Sequence, residues 1–175
     1  GGGGIYALLY AAGIAGLRPL TNFKPELLKH YFTVNYFSFI ETVRQLTKKG
    51  RYAPNMRIVG ISSVAALSGD GGQIAYGGSK AAMSASVRSM AKELSAKGIC
   101  INTIAPAMTR TDIFSSYLER VGSDVYTESL LDRQYLGIVE PQAVANLVAF
   151  LLSPAAKFIT GACIPIDSGY LTMGH

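Results

Sequence analysis

Apolar residues recur along this chain in two rhythms. Residues 5–12, Ile-Tyr-Ala-Leu-Leu-Tyr-Ala-Ala, form a short unbroken apolar run that stops at Gly13. Such a run predicts a strand covered on both faces, because a strand buried on both sides loses its polar alternation. Over 25–48 the apolar positions Leu27, Leu28, Tyr31, Phe32, Val34, Phe37, Ile40, Val43 and Leu46 advance in steps dominated by three and four. That is helical periodicity, and Gly50 stops it. Residues 56–61 read as a second strand, with Ser62 and Ser63 at its C-terminal end. A glycine-rich loop follows at 68–73. Residues 75–97 read as a long helix of small residues, ended by Gly98. Residues 99–104 read as a strand closed by Pro106. A polar stretch covers 109–140. Pro141 opens a helix to Leu152, where an N-terminal proline is well placed, and the last strand lies within 158–167.

Strands separated by helices need crossover connections, so the pattern predicts a parallel sheet with helices on its faces. Ligands of such α/β sheets bind beyond the C-terminal strand ends. Gly13, Ser62-Ser63 and Ala105-Pro106-Ala107 are therefore expected to border one cleft.

Composition narrows the class. The chain has 175 residues, 49% hydrophobic and 15% charged, with a formal net charge of +5. This length suits one domain, and the balance excludes an extended disordered chain. The basic excess is mild and its densest cluster is Lys48-Lys49-Gly50-Arg51, too little for the clustered footprint of a nucleic-acid binder. No apolar run reaches the roughly 18 residues of a membrane span. Residues 5–20 lack the basic leader of a signal peptide. Cys100 and Cys163 sit among apolar neighbours and read as core residues, with neither a zinc spacing nor a disulfide framework. A cytoplasmic location is expected, and no metal site.

The candidate chemistry centres on Tyr76 and Lys80. Four residues apart on one helix, they share a face about one turn apart. An ammonium beside a phenol favours phenolate and lowers a tyrosine pKa from about 10. A tyrosine tuned in this way can exchange a proton near neutral pH. Alone, a Tyr-x-x-x-Lys spacing is more often a solvent-facing tyrosine and a solubilising lysine. Ser63 ends the preceding strand, thirteen residues before Tyr76, and Asn35 lies in mid-helix, twenty-eight before Ser63. Asparagine is a poor interior helix residue because its side chain competes with the backbone. It is either a tolerated surface residue or one that holds a water.

Together these residues resemble the short-chain dehydrogenase/reductase family. Ile58-Val-Gly-Ile-Ser-Ser-Val64 resembles its serine strand, and Tyr76-Gly-Gly-Ser-Lys-Ala-Ala82 its tyrosine–lysine helix start. Asn102-Thr-Ile-Ala-Pro-Ala-Met-Thr-Arg-Thr111 resembles the segment after its sixth strand. Phe158-Ile-Thr-Gly-Ala162 and Ile166-Asp-Ser-Gly169 resemble its last strand. The resemblance implies a Rossmann-like, doubly wound parallel sheet and an oxidoreductase that moves a hydride between NAD or NADP and a ketone or secondary alcohol. It implies that Tyr76 donates or accepts the proton, Ser63 holds the same substrate oxygen, and Lys80 tunes Tyr76 and binds the nicotinamide ribose. Asn35 would position a relay water. Ala12, Gly13, Pro106, Thr109 and Thr111, with Tyr76 and Lys80, would contact the cofactor.

The chain departs from the family pattern in several places. The family's Asn-Asn-Ala-Gly is here Tyr10-Ala11-Ala12-Gly13, which removes side-chain amides expected to brace that turn. Its Pro-Gly is Pro106-Ala107, and its Asp-Gly-Gly is Asp167-Ser168-Gly169. The glycine-rich turn that meets the pyrophosphate after the family's first strand has no counterpart in the sequence. Gly1–Gly4 does not supply it. The chain is therefore expected to be a single partial domain, 1–175, lacking the first strands of the sheet. It is expected to be a piece of a longer enzyme, or else a non-catalytic remnant serving as a structural or interaction protein.

Residues 108–142 are where the family builds a substrate lid. Here that region offers Ile113, Phe114, Tyr117, Leu118, Val121, Tyr126, Leu130, Leu131 and Tyr135. An aromatic, apolar lid suits a 3-oxoacyl chain or a hydroxysteroid, unless these residues only pack on the body of the fold. The helices at 25–48 and 75–97 are expected to pair in a homodimer or homotetramer, since the second is apolar on more than one face.

Overall fold

The computed structural model describes residues 3–121, 128 and 130–172, leaving aside the side chains at 113, 116, 117, 120 and 121. Strand β1 (Ile5–Tyr10) leads to helix α1 (Pro25–Phe32), a π-helical turn (Thr33–Phe37) and α2 (Ser38–Leu46). Strand β2 (Tyr52–Ile61) is followed by the short α3 (Ala65–Ser68) and the long α4 (Ile74–Ser95). Then come β3 (Cys100–Pro106), α5 (Asp112–Val121), α6 (Pro141–Leu152) and β4 (Cys163–Ile166). The four strands form one parallel sheet in the order β1-β2-β3-β4.

Side chains alternate across the sheet, as strand geometry requires. Tyr10, Met56, Ile58, Ile99 and Ile101 pack on one face against Phe39 and Val43 of α2 and Met83 and Val87 of α4. Val59 and Ile104 pack on the other face against Val148 and Leu151 of α6. This is the α/β, Rossmann-like architecture expected. Local punctuation acts as the sequence implies: prolines open α1 and α6. Gly69 and Gly98 take the left-handed conformation just past α3 and α4.

Several expectations are corrected. β1 is not covered on both faces. It is an outer strand, and Ile5, Tyr6 and Leu9 are each over 40% exposed. It ends at Tyr10, so Ala11 and Ala12 already belong to the following loop. β2 begins four residues earlier than expected. A register shift against β1 absorbs Pro54, which can donate nothing to a ladder. The polar stretch contains α5 rather than loop alone. β4 is shorter than its apolar segment, and Phe158 lies outside it, almost wholly exposed. Cys100 and Cys163 are partly exposed rather than core residues. In the helix at 25–46, Phe37 is exposed, while Phe39, outside the periodic set, is fully buried.

Candidate active site

The C-terminal ends of β2 and β3 and the first turns of α4 surround a cavity of about 380 Å³. That size is within the usual range for small-molecule sites. Ser63, Tyr76, Pro106, Thr109 and Thr111 all line it. These five expected site residues are thus brought to one wall system from three elements.

Tyr76 and Lys80 occupy the first two turns of α4. What seats that helix start is Ser62, the neighbour of the expected serine. Its hydroxyl donates to the Lys80 carbonyl at 3.2 Å and meets Ser84 Oγ at 2.8 Å. Ser63 is then left facing the cavity, its Oγ accepting from the Ala65 amide at 3.2 Å. Lys80 is 4% exposed, and its Nζ donates to the Ile61 carbonyl at 2.7 Å, at the end of β2. Burial disfavours the ammonium and lowers the Lys80 pKa from 10.5 to about 8.

Gly13 closes in from the loop after β1. A Cβ there would sit 3.1 Å from Lys80 Nζ and 3.2 Å from Asn35 Oδ1. Any side chain at this position would crowd the ammonium, so the glycine is a matter of space. Ala12 beside it is exposed. Asn35 has no exposed surface. Its Oδ1 accepts from Ile14 N at 2.8 Å, and its Nδ2 donates to Ile14 O at 3.0 Å and Ser79 Oγ at 2.9 Å. Both Nδ2 hydrogens are therefore used by the protein. This one side chain therefore braces the loop after β1, through both backbone groups of Ile14.

Two polar groups of the cavity wall escaped the sequence reading. Gln134, fully buried, accepts from Met108 N and donates to Met108 O and Gly137 O. It ties the segment after β3, at Met108, to the turn at Gly137. Asp70 accepts from Ser68 Oγ at 2.8 Å, Tyr170 Oη at 2.6 Å and Arg133 Nη2 at 3.0 Å. The Arg133 guanidinium lies 3.9 Å from the Tyr170 ring centre. Burial raises the Asp70 pKa, but the hydrogen bonds from Tyr170, Ser68 and Arg133 outweigh that and hold it below the usual carboxylate value. Its partners lie 63 and 100 residues away, and no local pattern reports pairs at such separations.

The lid expectation is partly revised. Leu130 lines the cavity, but Leu131 and Tyr135 face solvent. Phe114 is buried beneath the Arg110 guanidinium, outside the cavity lining. The side chains of Ile113, Tyr117 and Val121, and Tyr126 altogether, lie outside the described residues. No group of three or more His, Cys, Asp or Glu that could hold a metal occurs among the described residues.

With this geometry in hand, similarity to known proteins can be read on it. A family model described as enoyl-(acyl carrier protein) reductase matches residues 2–171. A tropinone reductase homologue of Arabidopsis thaliana is 34% identical over 177 residues, covering 98% of this chain and 55% of the relative. The 3-oxoacyl-(acyl-carrier-protein) reductase of Vibrio cholerae is 28% identical over 167 residues, covering 95% of this chain and 67% of the relative. The solved structure of a 4-hydroxyisoleucine dehydrogenase complexed with NADH superposes with a TM-score of 0.85 at 26% identity, covering 97% of this chain and 70% of that one. The chain belongs to the short-chain dehydrogenase/reductase family. It spans little more than half the length of the first of these relatives, and about two thirds of the second.

Proposed function

We propose that this site reduces a ketone, or oxidises a secondary alcohol, with NAD or NADP as partner. The observation that carries the reading is the convergence of Ser63 and Tyr76 on one cavity, with the Lys80 ammonium buried behind them. When bound, the nicotinamide supplies or accepts the hydride. The residues fit such a group: among the described residues the Lys80 ammonium has one hydrogen-bond acceptor, Ile61 O, and N–H groups remain for ribose hydroxyls. Pro106, Thr109 and Thr111 would flank the nicotinamide side, and Ala12 and Gly13 the end of β1.

In reduction, Tyr76 gives its phenolic proton to the carbonyl oxygen, and Ser63 donates a hydrogen bond to that same oxygen. Lys80 holds its charge near the phenol and favours the phenolate left behind. Asn35 keeps the loop after β1 closed over Lys80, and proton relay to solvent passes along this side. The substrate reading rests on the cavity wall. Val64, Met108, Leu130 and Val144 provide apolar surface, and two of them, Met108 and Leu130, come from the region where a lid is expected. A 3-oxoacyl or similarly apolar ketone suits it.

The cysteines carry no disulfide, in keeping with a reducing cytoplasm, and no described helix is long and apolar enough to cross a membrane. Exposed Leu28 and Phe37 beside α4 support pairing of two copies through these helices. The activity is tested by replacing Tyr76 with Phe in the intact enzyme. Turnover is expected to fall by about 10²–10⁴-fold, the usual weight of a general acid–base group, with cofactor affinity near that of the wild type. Wild-type turnover in Tyr76→Phe would overturn the assignment.

A further inference from the structure

The helix that carries Asn35 contains one irregular turn, Thr33–Phe37. There the Ser38 amide donates to Thr33 O, five residues back, instead of Val34 O, four back. Val34 O is thereby released from the Ser38 amide, its donor in a regular α-turn. A carbonyl left without a donor inside the fold is costly, and two hydroxyls converge on this one. Ser38 Oγ lies 2.5 Å from it and Tyr10 Oη 3.1 Å, and the two hydroxyls also bond each other, so of their two protons one serves the Tyr10–Ser38 contact and the other Val34 O. Tyr10 is the last residue of β1, 8% exposed, with its ring 5.2 Å from that of Phe39. Its hydroxyl therefore bridges the sheet edge to the one helical turn that departs from regular geometry.

That turn decides where Asn35 points. The inward residues Tyr31, Asn35, Phe39 and Val43 are spaced in strict fours. On a regular α-helix of 3.6 residues per turn, three such steps drift by about 120°. One residue absorbed in a π turn takes back about 100°. The widened turn thus keeps Asn35 and the core residues Phe39 and Val43 on one inward stripe. A regular helix would swing Asn35 away from Ile14 and Ser79, or Val43 away from the core.

We infer that Tyr10 and Ser38 are positioning residues: their hydroxyls cap the freed Val34 carbonyl, stabilise the π turn and so hold Asn35 in the site. This rests on the catalytic reading above. It gives Tyr10, which stands where the family pattern has an asparagine, a role of its own.

The test uses the intact enzyme with Tyr10→Phe and Ser38→Ala, singly and together, and with Asn35→Ala as reference. Tyr10→Phe keeps the ring against Phe39, so the core stays filled. The double variant should lower kcat by about tenfold, the scale of one lost buried hydrogen bond, with little change in KM for the ketone. Adding it to Asn35→Ala should do nothing more, because residues acting through one group are not additive. Ser38→Thr should restore the rate by restoring a hydroxyl. An unchanged kcat in the double variant, or effects that multiply in the Asn35→Ala background, would overturn the inference. Hydrogen exchange of the Asn35 side-chain amide is read alongside by NMR. It should quicken in the double variant whether or not any ketone is turned over, and unchanged protection there would sink the brace. If the intact wild-type enzyme turns over no ketone, the catalytic reading fails, while the exchange result still decides the brace.

Discussion

Lys80 is a buried cation whose only described acceptor is a carbonyl, and that sets a pH signature. Its pKa in the fold is about 8, against 10.5 in the unfolded chain. A lysine depressed in this way destabilises the fold while it is protonated. Between the two values the unfolded state binds more protons, so stability rises with pH. The cost is fully present below about 8 and fades as pH climbs toward 10.5. Lys80→Met should therefore unfold at a higher urea concentration than the wild type at neutral pH, and the gap should narrow by pH 10. A gap constant across that range would show that Lys80 is not depressed. Asp70 runs the other way. Its lowered pKa adds stability above 3.8 that is lost as pH falls through its folded value.

At the scale of the element, α4 is seated by its glycines as much as by its hydroxyls. A Cβ on Gly77 would lie 2.6 Å from the Ala65 carbonyl, whereas one on Gly78 would meet only the Phe32 ring, at 3.9 Å. The first clash is with backbone and cannot be relieved by turning a side chain. Gly77→Ala should cost about 1–3 kcal/mol, as overpacking does. It should also depress turnover, because the turn it displaces carries Tyr76. Gly78→Ala should be near neutral in both respects. Thermal unfolding and steady-state rates of the two variants make the comparison, and equal behaviour would contradict the packing of α3 against α4. The run Tyr76-Gly-Gly-Ser-Lys80 thus contains one glycine required by space and one that is not, a distinction invisible in the letters.

Over the whole molecule, three aromatic rings cluster on the outer side of the helix pair. Phe32, Tyr36 and Phe37 have ring centres 5.5–6.2 Å apart, and Phe37 is 53% exposed. An aromatic group left partly in water is a usual mark of an interface. If copies pair through this face, Phe37→Asp should shift the sedimentation profile toward monomer at micromolar concentration, with the fold intact by circular dichroism. An unchanged profile would place any assembly elsewhere. Among the described residues, β1 is the outer strand of the sheet with Ile5, Tyr6 and Leu9 exposed, the kind of edge along which strands associate.

Much of this was legible in the letters because the signals are local. Helical periodicity, prolines at helix starts and glycines past helix ends depend on neighbours a few residues away. Strand-and-helix alternation alone implied the parallel sheet, and its strand ends implied where Ser63 and Pro106 would meet. The π turn was not legible: Tyr31, Asn35, Phe39 and Val43 run in fours, but only their burial picks them out, and Phe39 lay outside the periodic set. The tertiary structure decided what depends on distant partners. β1 reads as buried from its own composition, but its exposure depends on what lies beside it in the sheet. Asp70 gains its donors from Arg133 and Tyr170, far along the chain. Leu130 and Leu131 are adjacent and equally apolar, yet one lines the cavity and the other faces water. Hydrophobicity states how strongly a side chain avoids water, whereas packing against residues remote in sequence determines whether it can.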